Sequence, residues 1–295
     1  MVYTSEYPLT IDGVRLDTLA WNVETLGGRD YVPSIRDENI SLPGRHGNVF
    51  VPGKRFDQGK MILKMWVIRA DADGEVTTNS FNEFRRNMDA LKVLFTRRAR
   101  LLDLRREDGS GLQRQAYAEV LSAIDPDHFG ANPGARFSVE LEIPAVFWQD
   151  LQDSNLIATG LQVSPTTDIV AEEFAGATAP MEDLWIVVDG PANKPIVTDV
   201  ESGHYIKLNE TLVVGKQWVV DTTNWTSRVG TATAFTSGGT EKIEETIFSG
   251  QHSPRLFAMS PPRTSSEGPS LQFSTDIGGT TDDTKLRIRG KRKFL

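Results

Sequence analysis

Pro43-Gly44-Arg45-His46-Gly47-Asn48, then Met61-Ile-Leu-Lys-Met-Trp-Val-Ile68, then the run 81–95, then Ala99-Arg-Leu-Leu-Asp-Leu-Arg105: the order of these four segments decides the fold of the first half of the chain. The first is an arm broken by glycine and proline, and the second and fourth read as strands. Between the strands, Phe81, Phe84, Met88, Leu91, Leu94 and Phe95 recur at the three-and-four spacing of one helical face. Ser80 and Glu83 have the S-x-x-E spacing of a capping box, which satisfies orphan amides at a helix start. Arg97, Arg98 and Arg100 fall at or beyond the other end, where cations complement the helix dipole. An arm, a strand, a helix and a strand, with no catalytic cluster among them, describe an assembly unit rather than an enzyme.

Further along, Arg136-Phe-Ser-Val-Glu-Leu-Glu-Ile-Pro144 alternates, with Phe137, Val139, Leu141 and Ile143 on one face, and Gln115-Ala-Tyr-Ala-Glu-Val-Leu121 is its expected partner. Residues 151–165 lack periodicity and read as a connector. Beyond them short strands recur at even spacing: 184–189, 205–208, 211–214, 217–221, 255–260, 270–275 and 285–289, separated by turns such as Gly190-Pro191 and Gly215-Lys216. The expected fold is therefore mainly β (α+β). Residues 1–150 form a first domain with an arm at 26–60 and a helix at 80–96, a connector covers 151–168, and 169–295 form an all-β sandwich.

Composition suits a soluble globular protein, with 39% hydrophobic and 24% charged residues, and 295 residues are enough for two domains. The apolar run Leu184-Trp-Ile-Val-Val188 is far too short to span a bilayer, so no membrane contact is expected. The N-terminus has no basic and apolar leader pattern, so no secretory signal is expected. The absence of cysteine excludes disulfides and thiolate zinc sites.

A net charge of −8 argues against the usual basic nucleic-acid surface. From 151 to 284 there are 7 Lys/Arg and 18 Asp/Glu, giving −11, whereas 285–295 carry 6 basic residues and no acid, giving +6. Two readings stay open: the basic last strand pairs with its own acidic sheet, or it meets a neighbouring subunit.

Motifs that carry chemistry are missing. His46, His128, His204 and His252 are scattered, and no H-E-x-x-H occurs. Asp125, Asp127 and His128 sit in a proline-rich turn and read as a solvated cluster, so no metal or cofactor is expected. In Gly53-Lys-Arg-Phe-Asp-Gln-Gly59-Lys60, Met61 stands where a P-loop needs Ser or Thr. Glu244 and Glu245, adjacent on an expected strand, face opposite ways and cannot flank a substrate. Trp185 and Trp218 read as core residues. Trp225, between Asn224 and Thr226, is the aromatic expected to be exposed and the one candidate for a sugar contact.

The arm Pro43-Gly44-Arg45-x-Gly47, the strand around Trp66, the helix with Phe84, Leu91 and Leu94, the strand at 101–104, and Pro144-Ala-Val-Phe-Trp148 come in an order that resembles the distal tail proteins of long, non-contractile-tailed phages. Gly176-Ala-Thr-Ala-Pro180 before Leu184-Trp-Ile-Val-Val-Asp-Gly190, and the ending Lys285-Leu-Arg-Ile-Arg-Gly-Lys-Arg-Lys-Phe294, are similar to the start and close of that family's second domain.

The resemblance implies a β-sandwich-like ring domain followed by a galectin-like β-sandwich. It implies a homohexameric ring at the virion tail tip, assembled in the host cytoplasm, without catalytic residues. The implied partners are the tail tube protein and a tail-tip hub protein, with the tape-measure protein as a further one, and DNA passes the lumen without specific binding. Read physically, Pro43, Gly44, Arg45, Gly47 and Phe50 belong to an arm that either packs on a neighbouring subunit or folds as an internal hairpin. A carbohydrate-binding adsorption protein using Trp225 is the alternative, and a β-sandwich glycoside hydrolase a third reading.

Overall fold

The structure is a computed structural model, and it describes residues 8–24, 33–36, 40–41, 48–49, 56–71, 75–76, 80–96, 100–107, 111–122, 124–128, 134–161, 166–231, 239–249, 257–264, 266–276 and 283–295. The chain divides into two compact units, residues 1–149 with Leu295, and residues 150–294. It is mainly β, with one α-helix among the described residues.

Unit 1 contains β1 (Leu9–Ile11), β2 (Val14–Arg15), β3 (Trp21–Val23), β4 (Ile40–Ser41), β5 (Asn48–Val49), β6 (Gly59–Ile68), α1 (Ser80–Phe95), β7 (Leu102–Glu107), β8 (Gln113–Val120), β9 (Asp127–His128) and β10 (Gly134–Ile143); β11 (Trp148–Asp150) runs across the unit boundary. Its strands follow the order β2-β1-β7-β8-β10-β6-β3, antiparallel throughout.

The alternation in β6 and β10 is what a sheet with one dry face requires: Met61, Leu63, Met65 and Val67 lie inside with Phe137, Val139, Leu141 and Ile143. The two strands pair without a break from Gly59↔Ile143 to Ile68↔Gly134. The expected partner of β10 was the segment 115–121, and this is corrected. That strand, β8, ladders with β7 and touches β10 only at Leu141↔Val120 and Glu142↔Glu119. Both pairings suit the alternation equally well, so periodicity alone cannot choose between them.

Helix α1 buries Phe84, Met88, Leu91, Leu94 and Phe95. Asn87, also buried, donates its amide to the carbonyls of Ile68 (3.1 Å) and Ala70 (2.8 Å), which pins the helix to the end of β6. Phe81 departs from the expected stripe: at the margin of that face in the first turn it is exposed, and the Arg85 guanidinium lies 4.9 Å from its ring centre. Ser80 is itself the first helical residue, and Glu83 pairs forward with Arg86 at 3.3 Å.

Unit 2 contains β12 (Ser154–Thr159), β13 (Thr167–Val170), β14 (Leu184–Asp189), β15 (Ala192–Asn193), β16 (Ile196–Asp199), β17 (Tyr205–Leu208), β18 (Thr211–Leu212), β19 (Gln217–Asp221), β20 (Thr226–Gly230), β21 (Thr240–Glu241), β22 (Thr246–Ser249), β23 (Ser270–Ser274), β24 (Lys285–Gly290) and β25 (Lys293–Phe294). A six-stranded sheet, β12-β24-β14-β19-β20-β21, and a five-stranded sheet, β13-β23-β16-β17-β22, share one core. That core takes Leu156, Ile186, Val188, Trp218, Leu286 and Ile288 from the first sheet and Val197, Ile206, Leu271 and Phe273 from the second. The result is an antiparallel sandwich.

The expected connector at 151–168 is corrected, because it holds β12 and the start of β13. An edge strand needs few inward apolar residues, and β12 supplies one fully buried large side chain, Leu156. So sparse a pattern leaves no periodic signal. The strand expected at 211–214 stops at Leu212, and Val213 and Val214 are exposed in the turn that follows. Of the strand expected at 255–260, residues 255 and 256 lie outside the described residues, and Met259 forms a single bridge to Met181.

Candidate functional site

The arm is visible at its base and its stem. Ile35 and Phe56 face each other across an antiparallel bridge, the Asp57 N–H donates to the Ser34 carbonyl at 2.7 Å, and Arg36 pairs with Asp57 at 3.4 Å. The Phe56 ring stands edge-on to Phe147, centroids 5.3 Å apart, which ties the base to unit 1. Further out, Ile40 pairs with Val49 and Ser41 with Asn48. The local backbone is therefore a hairpin. Its two strands form a sheet of their own, with no ladder to another strand among the described residues. A lone two-stranded ribbon is marginal in water, and Ile35 at its base is 60% exposed. The expected interface residues Pro43, Gly44, Arg45, Gly47 and Phe50 lie outside the described residues.

Trp225 occupies a turn held by Asp221. The Asp221 carboxylate accepts from the Thr223 N–H (2.9 Å), the Asn224 N–H (3.2 Å) and the Asn224 side-chain amide (2.7 Å). Trp225 then takes a left-handed backbone, φ 53°. Its ring is half-buried and stands edge-on to Phe248 at 5.3 Å. Trp218 is a core residue as expected, its indole N–H donating to Ser227 Oγ at 2.8 Å, with Thr246 Oγ1 2.6 Å further on. Trp185 is not a full core residue: it is half-buried on the opposite face of β14 from Leu184, Ile186 and Val188.

The basic C-terminal segment pairs with acids of its own unit. Arg287 meets Asp189 at 2.7 Å, Arg289 meets Asp153 at 2.5 Å, Arg292 meets Asp150 at 2.6 Å and Lys293 meets Asp183 at 2.6 Å. This is the first of the two readings of that charge. His128, from the proline-rich turn, packs edge-on to Phe84 at 5.8 Å, and no group of three or more acids or histidines among the described residues can hold a metal. Glu244 and Glu245 lie in a turn before β22 rather than on a strand, and Glu245 pairs with Lys242 at 3.5 Å.

One cluster carried no sequence signal. On the outer side of unit 1, Asp103 accepts from Arg105 (2.7 Å) and Gln115 (2.8 Å). Burial pushes Asp103 up, but those hydrogen bonds and the charges of Arg105 and Arg100 outweigh it and hold the carboxyl below its usual range. Arg100 in turn grips Asp12 with two hydrogen bonds of 3.1 and 2.9 Å. These groups meet only because β1, β7 and β8 are neighbours.

No family model matches the chain, and no curated protein matches it. Among solved structures, it is similar to the Dit protein of SPP1, described as a paradigm of the hub adsorption apparatus in phages infecting Gram-positive hosts. The TM-score is 0.58 at 12% identity, over 99% of this chain and 100% of that one. Chains from the phage p2 baseplate in its activated conformation, one with Sr and one with Ca, align at TM-scores of 0.40 and 0.39 with 11% and 10% identity, over 98% of this chain and 99% of each of those. The likeness to the SPP1 protein is one of fold, along the whole length of both chains.

Proposed function

We propose that this chain is a structural, non-enzymatic subunit of a phage tail tip, where six copies close a ring that joins the tail tube to the tip apparatus and lets DNA through. The observation that carries the reading is the end-to-end fold likeness to a hub protein. A ring needs a heterologous interface that closes by rotation. The hairpin of β4 and β5, laddered to nothing else among the described residues, is suited to reach a neighbour. On this reading Pro43, Gly44, Arg45, Gly47 and Phe50 line that contact, the second unit is a galectin-like sandwich, and the tube, hub and tape-measure proteins are the partners. The net charge of −8 disfavours phosphate binding overall, consistent with a lumen that does not hold its cargo. Four cations of the C-terminal segment are already committed to carboxylates.

The native mass of purified protein tests this. The expected result is a hexamer. Truncating one side of a desolvated ion pair costs about 2–5 kcal/mol at each interface, so Arg45→Ala, or deletion of 40–53, yields folded monomers. A wild-type chain that stays monomeric at high concentration, and also with its tube and tip partners, overturns the reading. For the glycan alternative, Trp225 is engaged with Phe248, and binding to simple sugars no tighter than about millimolar is expected.

A further inference from the structure

Pro144-Ala-Val-Phe-Trp148, singled out in the sequence, turns the chain from β10 into β11. The Val146 N–H donates to the Ile143 carbonyl at 3.0 Å, and the Phe147 N–H donates to the Ala145 carbonyl at 2.7 Å. The second bond spans a single residue, Val146, whose φ is 68°. A bond of that span around a positive φ is a γ-turn of the rare and strained kind. Glycine takes such a backbone without steric cost, whereas a β-branched residue there is an outlier, kept only where its surroundings over-determine it. The surroundings of Val146 meet that condition. Phe147 and Trp148, the next two residues, are buried, and the Arg106 guanidinium lies 4.6 Å from the Trp148 ring centre. The Phe147 ring stands edge-on to Phe56.

Phe56 belongs to the root of the arm, just before Gly59, where β6 begins. Gly59 pairs with Ile143, so the arm leaves the sheet at the end where the strained turn starts. The Ile35–Phe56 bridge, the hydrogen bond from Asp57 to Ser34 and the Arg36–Asp57 ion pair join the two strands of the root to each other. None of these sets the angle of the root to the sheet, whereas the Phe56–Phe147 contact does. We propose that the turn from Ile143 to Phe147 is a positioning device for the arm: strained at Val146, it holds Phe147 against Phe56 and so fixes the direction in which the arm leaves unit 1 before any partner binds. A relaxed, negative φ at Val146 breaks the bond from Phe147 to Ala145 and turns the Phe147 ring away from Phe56. Phe147 is thus a positioning residue for the arm. A root already held has less freedom to lose on docking. That last consequence rests on the ring reading above; the holding of the root does not.

Hydrogen exchange at the Asp57 amide, which donates to Ser34, tests this. The full-length chain is diluted until it is monomer-sized, so that no neighbour protects the arm. Phe147→Leu keeps the apolar bulk and removes the aromatic pair. Asp57 exchange is expected to rise on the order of tenfold, the worth of one such pair, while amides of the β6–β10 ladder keep their wild-type rates. Val146→Gly retains the turn and keeps Asp57 slow. Val146→Pro forces φ to about −65° and removes the N–H given to Ile143, so it frees the root most. In assembly, the concentration at half-association rises about tenfold in Phe147→Leu. A merely structural role for Phe147 speeds Asp57 and the ladder together, and that result overturns the proposal. So does Asp57 exchange at the wild-type rate in Phe147→Leu, or a Val146→Gly chain whose root loosens as much. An assembly midpoint that stays put while Asp57 exchanges faster overturns the link to docking. A wild-type chain that never associates sinks the ring, and the exchange rates still decide whether the turn holds the root.

Discussion

Strands β6 and β10 of unit 1 keep one face dry and the other wet, whereas the central strands β14 and β19 of unit 2 are dry on nearly both. Along β6 burial alternates residue by residue, and Ile62, on the outer face, is 49% exposed. In β14, Val187 points away from the core built by Leu184, Ile186 and Val188, yet it is fully buried. Its register partner Val219 on β19 is 4% exposed. The row continues through Arg287 on β24 and Arg228 on β20, long side chains whose aliphatic stems can lie over short neighbours while their charged heads find partners. Arg287 finds Asp189, and Arg228 finds Glu241 at 3.4 Å. At Val187 and Val219 the outer face of this sheet is therefore dry.

Charge substitutions break this comparison most sharply. Val187→Lys places an unpaired cation in a dry row and is expected to cost about 3–5 kcal/mol, while Ile62→Lys should stay within about 0.5 kcal/mol. Denaturant unfolding of the two variants checks it, and equal effects would show that Val187 lies on an ordinary wet face.

A smaller effect belongs to a buried carboxylate of unit 2. Asp199 is fully buried and accepts from the N–H and hydroxyl of Ser202 (2.9 and 2.5 Å) and of Ser260 (3.0 and 2.6 Å), which fastens the β16–β17 turn to the 257–260 segment. Asp199→Ala strands those donors and should cost about 1–3 kcal/mol, with hydrogen exchange accelerated first at 200–204 and 257–260.

The smallest effect belongs to the outer cluster of unit 1. The folded state holds Asp103 below its usual range. Its contribution to stability is therefore present above the ordinary carboxylate pKa and lost as pH falls through that range and below it. Asp103 is half-buried but its partner Arg105 is 46% exposed, so the change is that of a solvent-screened pair, under about 1 kcal/mol. Thermal unfolding of wild type and Gln115→Leu from about pH 6 to about pH 3 should converge at the acid end, and a difference that grows toward low pH would contradict the assignment.

How much was legible depended on how local each signal is. Helix α1 could be read because its stripe repeats within one element, and only Phe81, at the stripe's margin, went elsewhere. Strands β14, β17 and β19 matched residue for residue because turns bound them closely. Strand β12 could not be read, since Leu156 alone points into the core and the rest of Ser-Asn-Leu-Ile-Ala-Thr is small, polar or outward. The Asp103 cluster was hidden for another reason: Arg100 and Asp12 are brought together by the pairing of β1 with β7, which no window of sequence contains.

By itself, the sequence determined the mainly-β class, helix α1, the dry face of β6 and β10, and the contrast between a basic C-terminus and an acidic body. All of these follow from periodicity or charge within short windows. Only the tertiary structure decided that β8 ladders with β7, that β24 is inserted between β12 and β14, and that β12 lies at the end of its sheet. The physical reason is that any alternating strand can pair with any other, and the choice is made by loop closure and by packing across the shared core.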